Sequence, residues 1–211
     1  MKELKAKPGA RTWTSTTGTK DRVLDAASEI FARKGFTDTT MADLVEASGV
    51  SVGSIYHHFG GKSEVFMAIW NNLVERMGLH VGEALEQARV EGVTDRIELF
   101  EVSTRAYLES IWQNQSRARV VAMGDTPPGF DAVRRGSARR GSGNDIELLG
   151  LSSGRREHLF GDFHMAIRAE AARAVLGCRT PEATEAVIED TLRVIRRLDP
   201  REFEFEVELS Q

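Results

Sequence analysis

The chain has 211 residues, with 28 Lys and Arg against 32 Asp and Glu, a formal net charge of −4 and one cysteine. That length holds one large domain or a small one joined to a medium one, and the charge argues against a protein that coats nucleic acid indiscriminately, since such binders usually carry a large positive excess. Cys178 alone forms no intrachain disulfide, no apolar run approaches a membrane span, the opening MKELKAKPGA lacks the apolar core of a secretory signal, and the expected location is the cytoplasm.

Charge is unevenly spread. Residues 1–62 hold nine Lys or Arg against seven Asp or Glu, whereas the rest holds nineteen against twenty-five. The basic end is therefore where an anionic partner is expected. Residues 1–18 carry Lys2, Lys5, Lys7 and Arg11 and a polar run from Thr12 to Gly18 without helical periodicity, and they read as a flexible arm. Such an arm reaches a minor groove in some DNA-binding proteins, although most leaders of this composition are merely disordered.

An amphipathic helix follows from near Thr19, with Val23, Ala27, Ile30 and Phe31 on its apolar stripe and a stop at Lys34-Gly35-Phe36. Thr40 with Asp43 three residues on is a capping signature for a second short helix. The break Ser48-Gly49-Val50 and a third helix opening at Ser51 complete a helix-turn-helix. The spacing lets Leu44, Val45, Val50, Ile55 and Phe59 close one small core, which leaves Gly53, Tyr56 and His57 on the outward face of the last helix, where they can enter a major groove. Thr40 offers a hydroxyl and backbone N–H groups at a helix start, and Lys62 offers a point charge; both suit phosphate.

The run Gly49-Val50-Ser51, Gly53, Tyr56-His57-His58-Phe59 and Lys62 resembles the DNA-binding signature of the TetR family of transcriptional regulators, from about Thr19 to Met77. The resemblance implies an all-α chain, with a three-helix head over 19–63, a helical ligand-binding and dimerisation body over 64–200, and a tail over 201–211. It assigns Tyr56, His57 and Lys62 chiefly to the DNA backbone and places Val52 and Gly53 close to bases. Position 52 is often polar or cationic in the family, but Val52 offers only an apolar surface suited to a thymine methyl. Specificity then leans on Ser51, Ser54 and DNA shape. The implied activity is that of a ligand-responsive repressor binding a palindromic operator as a homodimer.

Beyond Lys62, the stripe Val65, Phe66, Ile69, Trp70, Leu73, Val74 and Met77 predicts a long helix, which in a TetR-like layout is the lever between head and ligand cavity. A further helix is predicted from Thr94 with Ile97, Phe100, Tyr107, Leu108 and Ile111 on one side. Pro127-Pro128-Gly129 must break it, and the Arg-, Gly- and Ser-rich run 134–144 reads as a mobile loop after a short helix. Two helices follow, one from about Arg155 to Leu176, the other capped by Thr180 with Pro181 in its first turn. Small residues such as Ala166, Ala169 and Ala171 admit close neighbours, and the resemblance places the dimer interface on this hairpin, over about 155–198; an internal hairpin of a monomer is the other reading. The alternating tail 203–209 suits a strand.

Candidate ligand contacts are Trp70, Phe100, Tyr107, Trp112, Met123, Phe130, Phe163 and His164, an aromatic set with few polar anchors. No metal or cofactor is expected: adjacent His57 and His58 diverge on a helix and lack a third ligand. Two other classes fit parts of the chain. A hydrolase could be drawn from Ser152, Ser153, His158 and Asp162, but the strand-turn-helix of a nucleophile elbow is missing. A helical adaptor for protein partners would leave Thr40, Tyr56 and Lys62 without a role.

Overall fold

The computed structural model describes residues 16–122, 124–151 and 154–198. Among these, every regular element is a helix: α1 (Thr16–Lys34), α2 (Met41–Ser48), α3 (Val52–His58), α4 (Lys62–Val90), α5 (Arg96–Gln113), α6 (Gln115–Ala122), α7 (Phe130–Leu149), α8 (Arg155–Gly177) and α9 (Pro181–Arg197). No described helix is long and apolar enough to cross a membrane. The predicted tail strand at 203–209 lies outside the described residues, as do Met123, Ser152 and Ser153.

The head forms as its sequence dictates. Gly35, with φ of 82°, ends α1 in a left-handed turn that a side chain disfavours. Thr40 closes a reciprocal capping box with Asp43, and Gly49 (φ 63°) ends α2 with its N–H on Val45. Ser51 caps α3 by accepting from the Ser54 N–H. Leu44, Val50 and Ile55 are buried, with Val45 and Phe59 packed against them, as the spacing required. Phe31, Phe36 and Phe66 meet with ring centroids 5.6–5.8 Å apart and join α1 to α4.

Three boundaries differ from the expectations. The helix α1 begins at Thr16, inside the segment read as an arm, because its first turn is polar and leaves no periodic mark. The helix expected from Thr94 starts at Arg96, since the Asp95 carboxylate accepts from the N–H groups of Ile97 and Glu98. The third is the largest: 134–144 is not a loop but the middle of α7. Its small residues are there for packing. Ser142 is buried, a Cβ on Gly141 would stand 3.1 Å from Met165, and one on Gly161 of α8 would stand 2.8 Å from Ser142 Oγ and 2.9 Å from Ile146. Glycine and serine at this crossing bring α7 and α8 together, and composition alone made them look like a linker.

The body core has two parts. Leu73, Leu108, Ile111, Val175, Ile188 and Leu192 pack α4, α5, α8 and α9. Phe100, Leu149, Phe160 and Ile195 form the distal part. Across both run buried polar groups, among them Thr104, Asp145, His164 and Arg168.

Candidate nucleic-acid interface and ligand cavity

The outward face of α3 presents Val52 (48% exposed) and Tyr56 (52%), with Gly53 and His57 exposed beside them and Ser51 at the cap. Ile55, on the opposite side, is fully buried and fixes the roll of the helix. No atom stands within 4 Å of a Cβ placed on Gly53, so the surface there is open. These predicted residues share one face, and Ser54 beside them is partly covered, its N–H donating to the Ser51 hydroxyl at 3.3 Å.

Thr40 and Lys62 sit elsewhere in the chemistry. The Thr40 hydroxyl donates to Asp43 at 2.9 Å and accepts from the Asp43 N–H at 3.2 Å. Asp43 also pairs with Lys34 at 2.6 Å, and that bond, with the Thr40 donors, lowers its carboxyl to about 2. The Lys62 ammonium donates to the backbone carbonyls of Phe36, Thr37 and Thr39 at 2.7, 3.2 and 2.7 Å and stands 4.4 Å from the centre of the Phe36 ring. Its three donors are thus engaged in closing the α1–α2 turn onto α4.

Two polar ties that sequence reasoning missed join head to body. Asp125, in the proline-rich turn before α7, accepts from the Thr37 N–H at 3.0 Å and from its hydroxyl at 2.7 Å, which lowers the carboxyl below its ordinary value. A Cβ at Gly35 would collide with that carboxylate. Buried Arg117 of α6 donates to Asp25 of α1 at 2.6 Å and to Asn72 of α4 at 2.8 Å. Partners 88 and 92 residues apart in sequence leave no local signal.

A cavity of about 1060 Å³ lies along α4, walled by α5, α6, α7 and α8. Of the candidate contacts, Trp70 and Tyr107 line it. Phe100 is core; Trp112 packs against the α4–α5–α8–α9 core; Phe130 stacks edge-on against Phe66 and Trp70 at 5.0 and 5.3 Å; Phe163 is exposed on α8. Met123 lies outside the described residues. His164 is buried edge-on between Phe100 and Phe160 at 4.9 and 4.6 Å, and this burial lowers it to about 4. The wall is less aromatic and more polar than expected. Its buried anchor is an ion pair, Arg168 to Asp145 at 2.6 Å, with the guanidinium 4.7 Å from the Tyr107 ring centre. Burial pushes the Asp145 carboxyl up against the pull of Arg168. Among the described residues no cluster of three metal-ligating side chains is present.

Residues 23–69 match the model of the bacterial regulatory proteins, tetR family. The HTH-type transcriptional regulator SrpR of Pseudomonas putida is 41% identical over 51 residues, 24% of each chain. The HTH-type transcriptional regulator YfiR of Bacillus subtilis (strain 168) is 31% identical over 107 residues, 45% of this chain and 52% of its own. These matches thus span between about a quarter and half of the relatives' length. A crystal structure of a TetR-like transcriptional regulator from Rhodococcus sp. RHA1 superposes with a TM-score of 0.68 at 21% identity, covering 91% of this chain and 99% of that one, so the body shares its fold. The matched segment thus carries the tetR-family signature on a capped helix-turn-helix, and the chain as a whole has the fold of TetR-like regulators.

Proposed function

We propose that the protein is a DNA-binding transcriptional regulator, acting without catalysis as a ligand-responsive repressor on a palindromic operator. The observation that carries this reading is the α3 face: Val52, Gly53, Tyr56 and His57 stand outward on a helix whose roll is fixed by buried Ile55 and whose start is capped by Ser51. In this role Val52 and Gly53 meet base edges, Tyr56 and His57 reach sugar-phosphate, and Lys62 acts by holding the turn rather than by touching phosphate. The α3 helix carries neither Lys nor Arg. Phosphate neutralisation then falls to residues around it, including the basic positions of the first fifteen residues.

The homodimer is assigned to α8 and α9, over about 155–198. Leu159 (54% exposed), Phe163 (56%) and Val194 (47%) lie open on these helices, and apolar side chains of that size on one pair of helices favour a partner. Two-fold pairing sets two heads on successive major grooves, about 34–36 Å apart. A small-molecule effector in the α4 cavity acts through α7: that helix walls the cavity, while Phe130 and the Asp125 turn before it grip the head. The effector shifts DNA affinity only as far as it prefers one arrangement of those contacts.

Selection of bound duplexes from random DNA tests this directly, and a symmetric consensus is the expected product. Tyr56→Ala with His57→Ala should then weaken binding to the selected duplex at least tenfold while the melting temperature stays put. Undiminished binding by that double variant removes α3 as the reading face.

A further inference from the structure

The cavity along α4 reverses the charge of the molecule. A chain of net charge −4 places six arginines on its wall, Arg89, Arg96, Arg134, Arg140, Arg168 and Arg173, against the carboxylates of Asp145 and Glu147. Three of the six are neutralised locally: Arg134 by Asp131, Arg168 by Asp145 and Arg173 by Glu170. The other three make no ion pair among the described residues. Arg96 donates only to the Glu147 backbone carbonyl at 3.4 Å, and Arg140 to the Ser137 hydroxyl at 2.9 Å. Arg89, at the end of α4, and Arg96, at the start of α5, are exposed at the far end of the cavity, whereas the Arg140 guanidinium, held on Ser137, stands about 15 Å nearer the head along α7 than the Glu147 carbonyl that Arg96 touches. Leu73, Met77, Val81, Leu99 and Ile111 make the apolar part of the wall. From Trp70 to Arg89 the cavity follows α4 for roughly 28 Å at the helical rise of about 1.5 Å per residue.

We infer that the effector is an elongated amphiphilic anion, its hydrocarbon tail along α4 and its charged head at Arg89 and Arg96. This rests on the proposal that the cavity is the effector site and adds the chemical class. An apolar trough draws the tail by the area it removes from water. Uncompensated guanidiniums at one rim set which head group is accepted, because they attract carboxylate, sulfate or phosphate and repel an ammonium head of equal size. Arg168, already paired, contributes shape and the Tyr107 contact rather than net charge.

Calorimetry on the full chain without DNA, below micellar concentrations, decides the matter with four ligands of one tail length: tetradecanoate, tetradecyl sulfate, tetradecanol and tetradecyltrimethylammonium. Expected is binding of the anions at least tenfold tighter than the alcohol, with the ammonium weakest; the stronger of the two anions identifies the head group. The double variant Arg89→Gln, Arg96→Gln, exposed at both positions and so compatible with folding, should lose about tenfold or more on the anions and nothing on tetradecanol. Equal affinity for alcohol and anions, tighter binding of the ammonium, or an unaffected double variant overturns the anionic class while leaving the cavity as a ligand site. Absence of binding by all four overturns both this inference and the cavity's role.

Discussion

Head and body are packed by opposite means. The head core is a cluster of rings and branched side chains, Phe31, Phe36, Phe66, Leu44 and Ile55, with Phe130 of α7 brought in as one more wall. The body closes α7 onto α8 through glycine and serine and buries Asp145, His164 and Arg168 beside a cavity of about 1060 Å³. Dense apolar packing gives a unit with one arrangement, whereas buried polar groups around a void leave neighbouring arrangements closer in free energy. On the proposed function, a DNA-reading head needs the first property and an effector-responsive body the second.

The comparison breaks most decisively at Phe66, which is fully buried where α1, α4 and α7 meet. Phe66→Ala should cost about 3–5 kcal/mol in denaturant unfolding. Head and body should then unfold together, because the same ring supports Phe130; separate transitions would show two independent units. In the body, His164 gives a pH signature. Its folded value, held near 4 by burial, lies below the ordinary 6.5, so the neutral form stabilises the fold above pH 6.5 and that contribution is lost as pH falls toward 4. The loss is on the order of 2–3 kcal/mol across the window. His164→Leu should flatten the stability profile between those values, and an unchanged slope would place the acid sensitivity elsewhere.

Lys62 tests a smaller claim. Lys62→Met keeps the apolar stem but orphans three carbonyls of the α1–α2 turn, and about 2 kcal/mol of stability should go with them. If Lys62 serves phosphate instead, the variant melts like the parent and loses DNA affinity alone.

The head was legible in the sequence because its determinants are local. Thr40 and Asp43 are three residues apart, Gly49 and Ser51 bracket one turn, and Ile55 and Tyr56 take opposite faces of one helix. The same local reading placed Lys62 on phosphate, since nothing near it in the chain reveals carbonyls twenty-three to twenty-six residues back. Long-range partners account for the other gaps. Thr37 with Asp125 and Asp25 with Arg117 are ties between distant segments. The cavity drew on arginines whose spacing shows no helical stripe, while Phe100, Phe130 and His164, chosen for their rings, filled core instead.

The smallest expected effects bear on α7, where composition and structure part most clearly. Two glycines separate the cases. Gly161 lies where a Cβ would press on Ser142 and Ile146 at under 3 Å, so Gly161→Ala should destabilise by about 1–3 kcal/mol through overpacking. Gly143 is inside α7 with nothing within 4 Å of its would-be Cβ. In a helix, Gly143→Ala removes backbone freedom from the unfolded chain at no steric cost and should stabilise by about 0.5–1 kcal/mol. In a mobile loop the same change would do almost nothing, and Gly161→Ala would meet no opposing wall. A gain at 143 together with a loss at 161, read from unfolding midpoints, therefore requires both that 134–144 is helical and that it lies directly on α8, the arrangement that sets Arg134 and Arg140 on the cavity wall.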